Sequence, residues 1–126
     1  RGKRLPGPSY DLAAFQAEVE NWNVHVYRTR ALNVIQQLRG CTQYDARVFA
    51  RQAVLALSAD DYAHTIQTPT GQVQNVYGKV IEEEGWYMKI EIGMDDGQPG
   101  IVSCHPAEHD LDTKGGYVPR SRRSLG

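Results

Sequence analysis

His64 and His105 are the side chains of this 126-residue chain best suited to moving protons near neutral pH, because an imidazole titrates with an unperturbed pKa of ~6.5. Cleavage of RNA by its own 2′-hydroxyl needs such groups: a base for the hydroxyl, an acid for the departing 5′-oxygen, and donors to the phosphate. Between the two histidines lies GWYMKIEI, in which Trp86, Met88, Ile90 and Ile92 alternate with Tyr87, Lys89 and Glu91. Period-two alternation puts the first set on one face of a strand and the second on the other. An outward Tyr beside an outward Lys is a polar surface that a ligand can use. Two of the four histidines in a chain of this length are more often surface groups than a catalytic pair, so His64 and His105 need support from the rest of the pattern.

Other chemistries fit less well. His105 to His109 spell H-x-x-E-H, the inverted zinc-protease pattern. That motif needs both histidines on one helical face, yet the residue before Pro106 is pushed out of helical angles, which sets His105 at a strand end or cap. A catalytic zinc also wants a third protein ligand. The glycines lack Walker or G-x-G-x-x-G spacing, so nucleoside triphosphate chemistry is not supported. Ser103, Cys104 and His105 adjoin, but neighbours on a strand face opposite ways and no nucleophile elbow surrounds them.

The elements that must position these residues form two blocks. Ser9 is placed to cap a helix carrying Leu12, Phe15 and Val19 and stopping near Asn21. Asn23 to Tyr27 alternates as a short strand. Thr29 opens a second helix that Gly40 terminates, and Asp45 to Leu57 reads as a third. Ser58 and Asp61 resemble a capping box, predicting a short fourth helix to about Ile66 with His64 near its end. Thr68 to Gly71 then breaks the chain. Val73 to Glu82 and Trp86 to Gly93 read as a hairpin joined across Glu83, Glu84 and Gly85. Asp95, Asp96, Gly97 and Pro99 turn the chain into a third strand, Ile101 to Cys104. Helices first and an antiparallel meander second predict an α+β fold, its sheet packed on one side by the helices of the N-terminal half.

One domain over residues 9–112 is expected, between a basic Gly- and Pro-containing arm (1–8) and a basic, flexible tail (113–126). Apolar residues make up 40% and charged residues 23%, which argues against wholesale disorder. No apolar run approaches the ~20 residues of a membrane helix, so a soluble chain is expected. The start at Arg1, with neither Met nor the apolar core of a signal peptide, suits an excised domain or a trimmed chain. Two cysteines, Cys41 and Cys104, in no ligand spacing read as free thiols. The net charge of −1 conceals a basic, acidic, basic layout. Eight Lys or Arg oppose four carboxylates up to Arg51, and Lys79 and Lys89 stand against eleven carboxylates from Gln52 to Asp112. Such segregation allows a local positive face toward a polyanion.

From Tyr10 to His105 the chain resembles the motility quorum-sensing regulator (MqsR-like) toxins, bacterial ribonucleases of the RelE and barnase-like (BECR) group. The pieces that carry the likeness are an amphipathic first helix, VHVYRTRALNVIQQL, AVLALSADDYAHTI, VQNVYGKV, GWYMKIEI and IVSCH, in that order. The resemblance implies an antiparallel sheet with helices on one side. It also implies a metal-independent endoribonuclease without cofactor, acting on RNA in the bacterial cytosol and inhibited by a cognate antitoxin or immunity protein. The family's site uses a Lys after its S-x-x-D-[FY] turn, a Gln on the first hairpin strand, a Tyr on the second and a Lys ending the last strand. These fall on His64, Gln74, Tyr87 and His105, so both lysines are histidines here. Losing two fixed charges weakens phosphate stabilisation, while imidazoles offer general acid and base action. Lys89 and nearby arginines are expected to supply charge, with Tyr77 and Lys89 binding RNA. The chain also departs by its basic arm and by its continuation past Pro106, additions that suit the toxic part of a larger secreted polymorphic toxin. The alternative is a relative that binds RNA or an antitoxin and cleaves nothing.

Overall fold

The computed structural model describes residues 2–122. Arg1 and residues 123–126, which include Arg123 of the basic tail, fall outside the described residues. The chain is α+β. In order it runs β1 (Lys3–Leu5), α1 (Leu12–Glu20), β2 (His25–Val26), a π-helical turn (Arg28–Leu32), α2 (Asn33–Arg39) and α3 (Gln43–Leu55). A 3-10 turn (Ala59–Asp61) leads into β3 (Tyr62–Gln67), β4 (Val73–Ile81), β5 (Glu84–Ile92), β6 (Pro99–Pro106), β7 (Leu111–Thr113) and β8 (Gly116–Val118). Six strands form one open sheet in the order β1-β3-β4-β5-β6-β2, antiparallel except for β2 against β6, and β7 and β8 form a separate hairpin.

The helices start and stop on local chemistry. Gly40 takes a left-handed conformation (φ 60°) just past α2, and the Thr42 hydroxyl accepts from the Asp45 N–H at 3.1 Å to cap α3. Phe15, Val19, Ile35, Ala50 and Val54 of the three helices pack on Tyr77, Trp86, Met88, Ile90 and Cys104 of the sheet. The core therefore fills one face of the sheet, as the helical and period-two patterns require.

Three expectations give way to tertiary pairing. The Asp61 carboxylate does accept from the Ser58 N–H, at 2.8 Å, but the helix it opens is a single turn, and residues 62–67 are strand. A helix of eight residues is marginal alone, whereas Thr65 and Ile66 are β-branched and gain partners on both sides, β4 and β1. The basic arm is not free, because Lys3, Arg4 and Leu5 pair with Gln67, Ile66 and Thr65 as an edge strand. The start of the tail is likewise structured. Lys114 and Gly115 donate backbone N–H groups to the carbonyls of Tyr62 (2.9 Å) and Asp60 (2.7 Å), and the Ser121 N–H donates to Ala107 O at 2.8 Å. Leu111 and Val118 of this hairpin, with Ala107 and Tyr87, make a second small core.

The turn between β4 and β5 is Glu82–Glu83, both at positive φ (53° and 66°), which suits the twist of a two-residue hairpin. Gly85, expected in that turn, lies within β5. A Cβ there would sit 2.0 Å from Pro119 O. Gly85→Ala is therefore expected to push the C-terminal segment off the sheet and to cost about 1–3 kcal/mol, read as a lower urea midpoint.

Candidate functional site

Against the sheet face away from the helices lies a cleft of about 390 Å³. Its lining includes His64 of β3, Tyr87 and Lys89 of β5, and Ser103 and His105 of β6. Cross-strand pairing accounts for the grouping: His64 faces Val76, Lys89 faces both Val76 and Ser103, and Tyr87 faces His105. Arg4 from β1, Arg30 from the π-helical turn, Val102 of β6, and Glu108 to Leu111 complete the lining.

Two bulges make this grouping possible. Tyr62 pairs with Tyr77 on the core side, but His64 pairs with Val76 on the other. Residues two apart share a face in a regular strand; the extra residue, Ala63, turns His64 out of the core. On β6, Ile101 pairs with Ile90 in the core while Ser103 pairs with Lys89 in the cleft, and Val102 is the extra residue. Bulges of this kind re-aim side chains next to functional sites.

His105 is only 2% exposed. Its ring stacks on Tyr87, with centroids 5.1 Å apart at 16°. Nδ1 lies 2.8 Å from Pro106 O, and Nε2 lies 3.0 Å from Arg30 Nη2. A carbonyl only accepts and a guanidinium only donates, so one tautomer satisfies both: the proton is on Nδ1 and the Nε2 lone pair faces Arg30. Burial, with the Arg30 charge second among the lowering influences, pulls the His105 pKa below its ordinary 6.5. Half-buried His64 is pulled down to about 4 by burial and then by Arg4 and Lys89. Burial and the Arg30 charge also lower the Lys89 pKa, which Glu91 partly offsets. Both imidazoles are thus neutral at pH 7, in a cleft holding Arg4, Arg30 and Lys89 against Glu108 and Asp110.

The remaining expected residues fall elsewhere. Tyr77 is a correction: it is 1% exposed on the core face, edge-on to Tyr62, and cannot reach RNA in this fold. Gln74 is on the cleft side of the sheet but is not among the lining residues. Its Nε2 donates to Glu91 Oε1 at 2.8 Å, while Glu91 Oε2 accepts from the Tyr27 hydroxyl at 2.5 Å. Gln74 Oε1 is buried without a hydrogen-bond partner among the described residues. Cys104 points into the core, where burial raises its thiol pKa to about 12, so no serine, cysteine and histidine grouping forms. The H-x-x-E-H residues are not helical, and both His105 nitrogens already have partners.

Arg4 and Arg30 were not among the expected site residues. The excess of basic residues before Arg51 and the expectation that nearby arginines supply charge pointed toward them, but neither named a position. The chain matches no protein-family model and no curated protein sequence.

Proposed function

We propose that this chain is a metal-independent endoribonuclease of the bacterial toxin type, with a RelE and barnase-like fold similar to the MqsR-like toxins. The observation that carries the reading is the convergence of His64, Tyr87, Lys89 and His105, distant in sequence, in one cleft with Arg4 and Arg30. Neutral His64 accepts the proton of the RNA 2′-hydroxyl. The 2′-oxygen bonds to phosphorus, the bond from phosphorus to the 5′-oxygen breaks, and that oxygen takes a proton from His105, protonated at Nε2 once Arg30 has moved away. Lys89 and the arginines face the negative charge that accumulates on the phosphate. The products are a 2′,3′-cyclic phosphate and a 5′-hydroxyl. The partners are RNA and an antitoxin or immunity protein, and the place of action is the bacterial cytosol. Incubation of single-stranded RNA with the protein in EDTA tests this, with a substrate carrying one 2′-deoxy linkage as control. Cleavage that is lost at a linkage made 2′-deoxy is expected; intact RNA refutes the reading.

The pH dependence follows from the histidines. His64 must be neutral, which holds above about 4, and His105 must be protonated, which holds only below a pKa that is itself under 6.5. The profile of kcat/KM, which reports the free enzyme, is expected to peak on the acid side of neutrality and to fall about tenfold per pH unit above 6.5. An optimum at pH 8 contradicts the assignment. Stability moves the opposite way. Depressed histidine pKa values mean that the unfolded chain binds more protons between about pH 4 and 6.5, so the fold weakens as pH falls through that window.

A second reading has its own observation. His105 is nearly inaccessible, with its Nε2 engaged by Arg30, as suits a binding module that cleaves nothing. Retained RNA binding without cleavage at any pH between 5 and 8 favours it.

A further inference from the structure

We propose that Arg30 is the group that receives the phosphate, and that Glu108 holds it in reserve across His105 until an anion displaces the carboxylate. This rests on the reading above, in which the cleft takes RNA. One nitrogen of Arg30, Nη2, serves two partners, Glu108 Oε1 at 2.7 Å and His105 Nε2 at 3.0 Å. The two charged side chains are open to water, at 48% and 42% exposure, while the imidazole beneath them is 2% exposed. An ion pair so exposed contributes only ~0–1 kcal/mol. A phosphate, with more charge and more acceptor oxygens than one carboxylate, matches the guanidinium fork better.

Displacement has a second consequence. Nδ1 is committed to Pro106 O, so Nε2 is the only nitrogen of His105 that can exchange a proton with substrate. The contact that blocks it is the one Arg30 gives up on turning to the phosphate. Arg4 and Lys89 line the same cleft and add to the attraction. The resting protein thus keeps its buried imidazole covered, and the anion uncovers it.

The test is a titration with inorganic phosphate at pH 7 and constant ionic strength, followed by the ¹⁵N resonance of His105 Nε2 and by calorimetry. Phosphate is expected to shift that resonance in the unaltered protein. Glu108→Gln removes the competing carboxylate and is expected to bind phosphate about fivefold more tightly. Arg30→Gln is expected to bind it at least about tenfold more weakly, the loss of a hydrogen bond to a charged group. Glu108 is exposed, so its variant should fold; circular dichroism and urea unfolding check both proteins. Unchanged affinity in either variant, or a His105 resonance indifferent to phosphate, overturns the proposal. The ribonuclease reading fails separately: the expected phosphate results with RNA left intact uphold the role of Arg30 and remove the nuclease.

Discussion

Alanine at His64 is expected to slow RNA cleavage by about 10²- to 10⁴-fold, the range that a positioned acid or base contributes. His64 is half-buried on β3 at the cleft and its neighbours are charged, so the variant removes a proton acceptor and leaves the core of Tyr77, Met88 and Ile90 untouched. The same loss of rate is expected for His105, but there the choice of residue matters. His105→Ala would strip a stacking partner from Tyr87 and leave Pro106 O without its donor, at a cost of about 1–3 kcal/mol. His105→Asn keeps a donor near that carbonyl and removes the titrating ring, so it separates chemistry from folding. Single-turnover cleavage of a short RNA, with urea unfolding of each variant alongside, makes the measurement. If both histidine variants keep full activity, the assignment of the acid and base is wrong.

Lys89→Met is expected to cost about 10²- to 10³-fold, comparable to the loss of one donor that stabilises a developing anion. Lys89 stands between Val76 and Ser103 on the cleft face, one strand from β6, which carries His105, and two from β3, which carries His64. Met preserves the apolar stem and removes the ammonium. The kinetic split separates two roles. Charge spent on the transition state lowers kcat and kcat/KM together, whereas charge that only recruits RNA raises KM and leaves kcat alone. The first pattern is expected, because Lys89 is half-buried in the lining of the cleft that also holds His64 and His105. A purely KM effect would assign it to recruitment.

The outward position of Lys89 is legible in the sequence directly, and the reason is period two. The alternation of Trp86, Met88 and Ile90 with Tyr87 and Lys89 is local, so it declares which side chains leave the core whatever the sheet pairs with. The same holds for Gly40 after α2 and Asp61 before β3, where a single backbone requirement selects the residue. These features suffice for the α+β class and for the outward face of β5.

His64 shows where local reasoning stops. Its segment carries a genuine helix-start signal, and the signal acts, but for one turn only. Pairing with β1 and β4 then outweighs what six residues can gain as a helix. Even as a strand, its parity with Tyr62 would have sent His64 inward; the extra residue Ala63 reverses that, and an extra residue shows only against a partner strand. Tyr77 is the opposite case: the sequence of β4 alone does not fix which of its faces meets the core, and pairing with Met88 places Tyr77 there.

The sequence by itself determined the three helices, the hairpin of β4 and β5 and the polar face of β5, because those follow from chain-local periodicity and turn chemistry. The tertiary structure alone decided which residues share the cleft. Arg4 arrives through an edge strand and Arg30 through a π-helical turn. His105 is covered by an ion pair formed between residues 78 positions apart. The physical reason is that proximity across a sheet depends on register and bulges. These are set by the sum of many weak pairings, and no single stretch of the chain encodes that sum.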